Sequence, residues 1–185
     1  MSVIANYRES KAIFHRTLVC DLDSAKCGKL NLRLIFLHPQ VYYIYLMRKT
    51  ELYERVMNES FPSKVLYFFW RFRMQLVGSF LGFTIPTGVF GPGLSIAHPG
   101  TIVVNQEAVV GNDCRLHPGV TIGAIKGESP VIGNSCFIAP GVVIVGGIKI
   151  GHKVSFGPNV VVDFDVPDNS VLRVEIPKIE TKSSN

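Results

Sequence analysis

Two histidines, His98 and His117, are the residues best placed to do chemistry in this chain. A neutral imidazole, with an ordinary pKa of ~6.5, is the natural general base for taking a proton from an alcohol at neutral pH. His98 is followed by Pro99-Gly100-Thr101, a rigid turn that can fix its ring. Shortly after His117 comes the stretch Gly123-Ala124-Ile125-Lys126-Gly127-Glu128-Ser129-Pro130-Val131, whose Gly, Lys, Ser and Pro content reads as a protruding loop. On charge alone, Lys126 there, with Lys149 and Lys153 further on, can meet a phosphate. Cys20 and Cys27 lack the spacing of metal ligands, so no metal site is expected.

A repeat of six must position these groups. Positions 104, 110, 116, 122, 132, 138, 144, 150, 156 and 162 are Val, Val, Leu, Ile, Ile, Ile, Ile, Ile, Phe and Val, the signature of a hexapeptide-repeat β-helix. Four places after each comes a second apolar row, running from Ala108, Cys114 and Val120 to Val160 and Val166. Cys114 and Cys136 in that row read as small core hydrophobes. Three hexads make a coil, and coils stack at the strand spacing of ~4.8 Å. From Ile122 to Ile132 the step is ten, so four residues are inserted and a loop leaves the coil. Before Val104 the second row is read as Phe90, Ile96 and Ile102, and the first as Pro86, Pro92 and His98. On that reading His98 displaces an aliphatic from an inward column and stacks over Leu116. His98, His117 and the loop then converge on one corner. A β-helix interior is too narrow for a ligand, so the site must lie outside, in grooves between prisms or beside the loop.

The segment before the repeat differs in kind. Residues 32–57 and 63–82 are aromatic-rich and read as helices, with His38-Pro39 starting the second half of the first. The plan is an α-helical N-terminal cap over 1–80, a β-helix over 81–172 and a tail over 173–185 ending in a disordered Lys182-Ser183-Ser184-Asn185. A chain of 185 residues buries roughly 70% of its unfolded surface, enough for a core without disulfides. Met1 to Lys11 is polar and reads as no signal peptide, and no apolar run is long enough to span a bilayer, so the expected setting is the cytoplasm. The net charge of +5 comes without a nucleic-acid motif, and a phosphorylated cosubstrate explains its sign. From Val65 to Phe83, aromatics alternate with Lys64, Arg71 and Arg73, so this helix either packs on the first coil or a partner subunit or, as the less favoured reading, touches a membrane surface.

The run Gly91-Pro92-Gly93-Leu94-Ser95-Ile96-Ala97-His98-Pro99-Gly100-Thr101-Ile102-Val103-Val104-Asn105, continued by Gly111-Asn112-Asp113-Cys114-Arg115-Leu116-His117-Pro118-Gly119-Val120-Thr121-Ile122-Gly123, resembles the serine acetyltransferase family of hexapeptide acyltransferases. The match covers about 81–170 and is similar, within that family, to members of capsule and exopolysaccharide pathways. The resemblance implies a mostly-β fold, a left-handed parallel β-helix. It also implies a homotrimer, or a dimer of trimers, with acetyl-CoA as acetyl donor in the groove between subunits. The family's catalytic base falls on His98. Its backbone contacts to the pantetheine arm fall on Gly123 and Ala124, Ala139 and Pro140, and Gly157 and Pro158. His117 would orient His98 or touch the acceptor, and Asp21 and Asp23 would bind acceptor hydroxyls across a subunit boundary.

The chain departs from the family at three places. The Asp-Ile-His-Pro segment that orients the base reads Phe83-Thr84-Ile85-Pro86; the acid before the base is Ala97; and the loop's Arg-His pair, which holds the serine carboxylate, is Glu128-Ser129. With that anchor missing, the acceptor expected here is a hydroxyl of a sugar or polysaccharide precursor, with L-serine as the alternative.

Overall fold

The computed structural model describes residues 3–28 and 36–175. The cap is three helices among the described residues: α1 (Val3–Ser24), α2 (Pro39–Val56) and α3 (Phe61–Leu81). α2 opens with Pro39 in its first turn, where a missing N–H costs nothing. α3 is bounded chemically at both ends. The Ser60 hydroxyl accepts from the Ser63 amide at 3.3 Å, and Gly82, at φ 78°, closes the helix with its N–H on the Gly78 carbonyl. α1 is an element that the apolar pattern did not disclose. Among its described residues only Ser10, Phe14 and Asp21 are buried, so its sequence carries almost no stripe. The first half of the helix expected over 32–57 falls partly outside the described residues, as does the end of the tail.

Beyond α3 the chain coils into a parallel β-helix with three faces. One face is β1 (Phe83–Thr84), β3 (Ile102–Val104), β6 (Thr121–Gly123), β9 (Val143–Val145) and β12 (Val161–Val162). The second is β4 (Val109–Val110), β7 (Val131–Ile132) and β10 (Lys149–Ile150). The third is β2 (Ser95–Ile96), β5 (Arg115–Leu116), β8 (Phe137–Ile138), β11 (Ser155–Phe156) and β13 (Val171–Leu172). Both apolar rows from Val104 onward are buried throughout, Cys114 and Cys136 included. Later coils pair at a step of eighteen, as Val131 with Lys149. Across the insertion the step is twenty-two, as Arg115 with Phe137, so the four extra residues leave the coil without disturbing the register.

The first coil departs from the expected phase. Phe90 lies beside Val110 and Ile96 pairs with Leu116, so these two, and not Pro92 and His98, continue the inward column. Eight residues separate Ile96 from Val104, against six between their partners Leu116 and Ile122. The two extra residues lie in the corner that carries His98. His98 is therefore exposed, not stacked over Leu116, and it displaces no aliphatic. Gly100 makes the longer corner possible: its φ is 142°, and a Cβ there would lie 2.8 Å from Cβ of Pro118 in the next coil.

A β-helix leaves the backbone groups of its first coil unpaired on one side. Here cap side chains take them up. Nη1 and Nη2 of Arg48 donate to the carbonyls of Phe90 and Gly91 at 2.9 and 2.7 Å. Asp21 Oδ1 accepts from the amides of Gly93 and Leu94, both at 2.9 Å. The Tyr43 hydroxyl donates to the Ile85 carbonyl at 2.9 Å, and Nε2 of Gln40 to that of Ala97 at 3.4 Å. Arg48 and Asp21 are themselves an ion pair at 2.8 Å, almost wholly buried, with Glu51 on the other side of the guanidinium at 3.1 Å. Burial works against the Arg48 charge, but Glu51 and Asp21 more than offset it, so its pKa lies above the ordinary value.

Candidate active site

The register builds one continuous edge. Ile96, Leu116, Ile138 and Phe156 stack in line, so the residues that follow them, Ala97-His98, His117-Pro118, Ala139-Pro140 and Gly157-Pro158, lie along the corner between the third face and the first. Both histidines and two of the three expected pantetheine contacts thus share an edge. His98 and Pro140 are exposed on it, as is Pro158; Gly157 is half-buried and Ala139 buried.

His117 is half-buried, its ring 5.0 Å from that of Phe137. Arg115 Nε donates to its Nε2 at 3.4 Å, which leaves the proton of the neutral ring on Nδ1. Burial, then the Arg115 charge, then His98 hold its pKa below the ordinary value. The register sets the two imidazoles at neighbouring positions on one edge, which is why His98 is among these causes. With Nε2 taken by Arg115, a neutral His117 has its Nδ1 N–H left to donate and adds no positive charge beside His98.

The loop lies elsewhere. It leaves between β6 and β7, at the corner between the first face and the second, one face away from the histidines. Convergence of loop and histidines on one corner therefore does not occur within the chain. The phase slip in the first coil and the chain order around the prism account for the difference. The loop is a tight hairpin: Ile125 and Glu128 exchange both backbone hydrogen bonds at 3.0 Å, around Lys126 at φ 53° and Gly127 at φ 82°. Ser129 Oγ donates to Asn105 Oδ1 at 3.1 Å and ties its base to the coil below. Gly146 and Gly147 leave room for it, since a Cβ on Gly147 would stand 2.8 Å from Cβ of Glu128. Gly123 and Ala124 lie at this hairpin's root, and Lys126 is exposed at its tip. Lys149 and Lys153 are exposed away from it, on β10 and in the corner after it.

Asp21 is not a substrate ligand; it is spent on Arg48 and the first coil's amides. Asp23 is exposed at the end of α1. A groove of about 900 Å³ runs between α3 and the start of the β-helix and is lined by Tyr43, Glu54, Phe72, Leu76, Ile85 and Glu107 among others; neither His98 nor His117 lines it. His98, Pro140 and Pro158 stand exposed along the histidine edge. Among the described residues no cluster of His, Cys, Asp and Glu could hold a metal ion.

Residues 129–163 match the family described as bacterial transferase hexapeptide (six repeats), which accords with a left-handed coil. The serine acetyltransferase of Helicobacter pylori is 34% identical over 154 residues, covering 80% of this chain and 85% of that protein. The chain belongs to the serine acetyltransferase family. The fold agrees: the serine acetyltransferase of Neisseria gonorrhoeae, solved in complex with serine, superposes with a TM-score of 0.68 at 25% identity, over 95% of this chain and 72% of that one. Isoform 3 from Entamoeba histolytica, solved with cysteine, gives 0.69 at 22% identity over 98% of this chain, which spans only 64% of that protein. As a family member the chain is an acyltransferase with acetyl-CoA as acetyl donor.

Membership overturns the sugar or polysaccharide acceptor, and with it the likeness to capsule-pathway members: the relatives matched are serine acetyltransferases. That expectation rested on Glu128-Ser129 in the loop. Within one chain the hairpin stands one face away from His98, so Glu128-Ser129 is not part of the His98 corner.

Proposed function

We propose that this protein is an L-serine O-acetyltransferase with His98 as general base. The reading is carried by the match to the Helicobacter pylori enzyme along 85% of its length. The histidine edge supports it: His98 is exposed on a corner lengthened by two residues, beside a His117 that burial and Arg115 keep neutral. In the proposed reaction His98 takes the hydroxyl proton as the serine oxygen attacks the thioester carbonyl. The C–S bond breaks, and the CoA thiolate leaves with the proton that the imidazolium returns. His117 orients His98 or the serine. Gly123, Ala124, Ala139, Pro140, Gly157 and Pro158 line the pantetheine path, and Lys126 meets a phosphate. The two groups of contacts lie on opposite edges of one face. That arrangement suits a homotrimer in which the edge of one protomer faces the hairpin of the next. Assembly as a trimer, or as two trimers, belongs to the proposal. So does a cytoplasmic setting, in keeping with four free cysteines.

Thiol release from acetyl-CoA tests the reading, with L-serine in one reaction, a panel of sugars in others, and His98→Ala beside each. Serine-dependent release that falls by roughly 10²- to 10⁴-fold in His98→Ala is expected. No release with serine, or a variant that keeps its rate, would remove the substrate or the base from the proposal.

A further inference from the structure

α3 is apolar on two opposite sides. Tyr67, Met74 and Gly78 are buried against the rest of the protein. Phe61, Val65, Phe69, Phe72, Leu76 and Phe80 are all exposed, Phe61, Phe72 and Phe80 by 80%, 65% and 82%. At ~100° per residue these six fall within an arc of roughly 100°, facing away from the buried three. A helix that is apolar on its inner face needs no second stripe to fold. A contiguous exposed stripe of this size marks a surface that meets something apolar.

Charge decides what that is. α3 contains Lys64, Arg71 and Arg73 and no Asp or Glu. On the helical wheel Arg73 borders the stripe on one side, while Lys64 and Arg71 lie beyond its other border. Arg73 bonds the Tyr42 hydroxyl and lies over the Trp70 ring at 5.4 Å; Arg71 donates to the Tyr67 hydroxyl at 3.1 Å. Arg73 is thus held at the flank of the stripe, and Arg71 nearer the buried face. An apolar arc edged by cations and rich in phenylalanine is the pattern of a helix lying in a lipid interface, its aromatics among acyl chains and its cations at the headgroups. A second copy presenting the same face would bring Lys64, Arg71 and Arg73 of both helices together, the acids beside the face, Glu54 and Glu107, lying off α3 in the groove that Phe72 and Leu76 also line. No described helix is long and apolar enough to cross a membrane, so the contact is with the surface only.

We propose that the outer face of α3 docks the protein on an anionic membrane surface, with the helix axis parallel to the bilayer. Three cations at an anionic leaflet strengthen such binding by roughly 10²-fold over a neutral one, and salt weakens that part.

The test is sedimentation of the full chain with vesicles of phosphatidylcholine alone and with phosphatidylglycerol added. Light scattering of the free protein is measured in parallel. The variants are F61S/F72S/F80S, at the three most exposed aromatics, and K64Q/R71Q. Wild type should pellet with the anionic vesicles and much less with the neutral ones. The serine variant should lose pelleting at unchanged solution mass and unchanged circular dichroism, and the glutamine variant should bind several-fold more weakly. No pelleting of wild type, or pelleting that the serine variant retains, would overturn the proposal. A serine variant whose solution mass falls would overturn it in favour of contact between copies of this chain.

Discussion

The first coil and the coils above it are built from the same repeat and held in different ways. From Val104 onward each coil buries two apolar rows, and those within the stack bond their backbones to coils on both sides, so their contacts are repeated by the next and no single one is decisive. The first coil has a neighbour on one side only. On the other, Arg48, Asp21, Tyr43 and Gln40 replace a missing strand with individual hydrogen bonds, and the corner carrying His98 is two residues longer than its counterpart. The lesson is that a repeat confers stability where it is regular, and turns a side chain such as His98 outward where it is interrupted.

That contrast gives its largest effect at Arg48. Arg48→Met leaves Asp21 and Glu51 charged, with Asp21 buried, and strips donors from two first-coil carbonyls. Removing one partner of such a pair costs about 3–5 kcal/mol, to be measured by urea unfolding. Adding Asp21→Leu should recover only part of the loss, because Asp21 also serves the amides of Gly93 and Leu94. Next comes Gly100→Ala, which demands a φ of 142° from a residue with a Cβ and pushes that atom into Pro118. A cost of about 1–3 kcal/mol is expected, with a loss of turnover larger than the loss of stability explains, because the corner that holds His98 must shift. Stability and steady-state rates measured on the same preparation separate the two.

The sequence disclosed the regular coils almost completely, because there a side chain either faces the interior or does not, and period six records the choice. The insertion after Ile122 was equally plain, since it left the columns on both sides intact. The first coil was misread for the converse reason. Two extra residues between Ile96 and Val104 shift the phase, and Pro92 and His98 then fall on a column that Phe90 and Ile96 occupy. With no coil below to check against, the slip left no mark in the pattern. The ion pair of Asp21 with Arg48 joins α1 to α2 across twenty-seven residues, a distance at which no local pattern operates. The histidines were singled out by their residue type and their turns. Their shared edge with Ala139 and Gly157 follows only once the register is known.

Within the regular coils the same comparison predicts modest effects. Ile138 is fully buried midway along the stack, and Ile138→Val should cost about 0.5–1.5 kcal/mol, with turnover unchanged. A much larger cost would mean that the upper coils depend on single contacts as the first one does.

The smallest effect is the most specific to the site. The pKa of His117 is held below its ordinary value of 6.5 by burial first and Arg115 second. The unfolded chain therefore binds more protons than the folded one in the interval between those two values. Stability is fully retained above ~6.5 and falls as pH drops through that interval. Arg115→Gln removes the charge but not the burial, so the His117 titration followed by ring-proton NMR should move upward without reaching the ordinary value, and the acid loss of stability should shrink. If His117 orients His98 only while neutral, the acid limb of turnover should move in the same direction in this variant. A limb that follows the His117 titration would assign it an orienting role, and one that stays fixed while the NMR titration moves would assign that limb to another group and leave His117 to contact the acceptor.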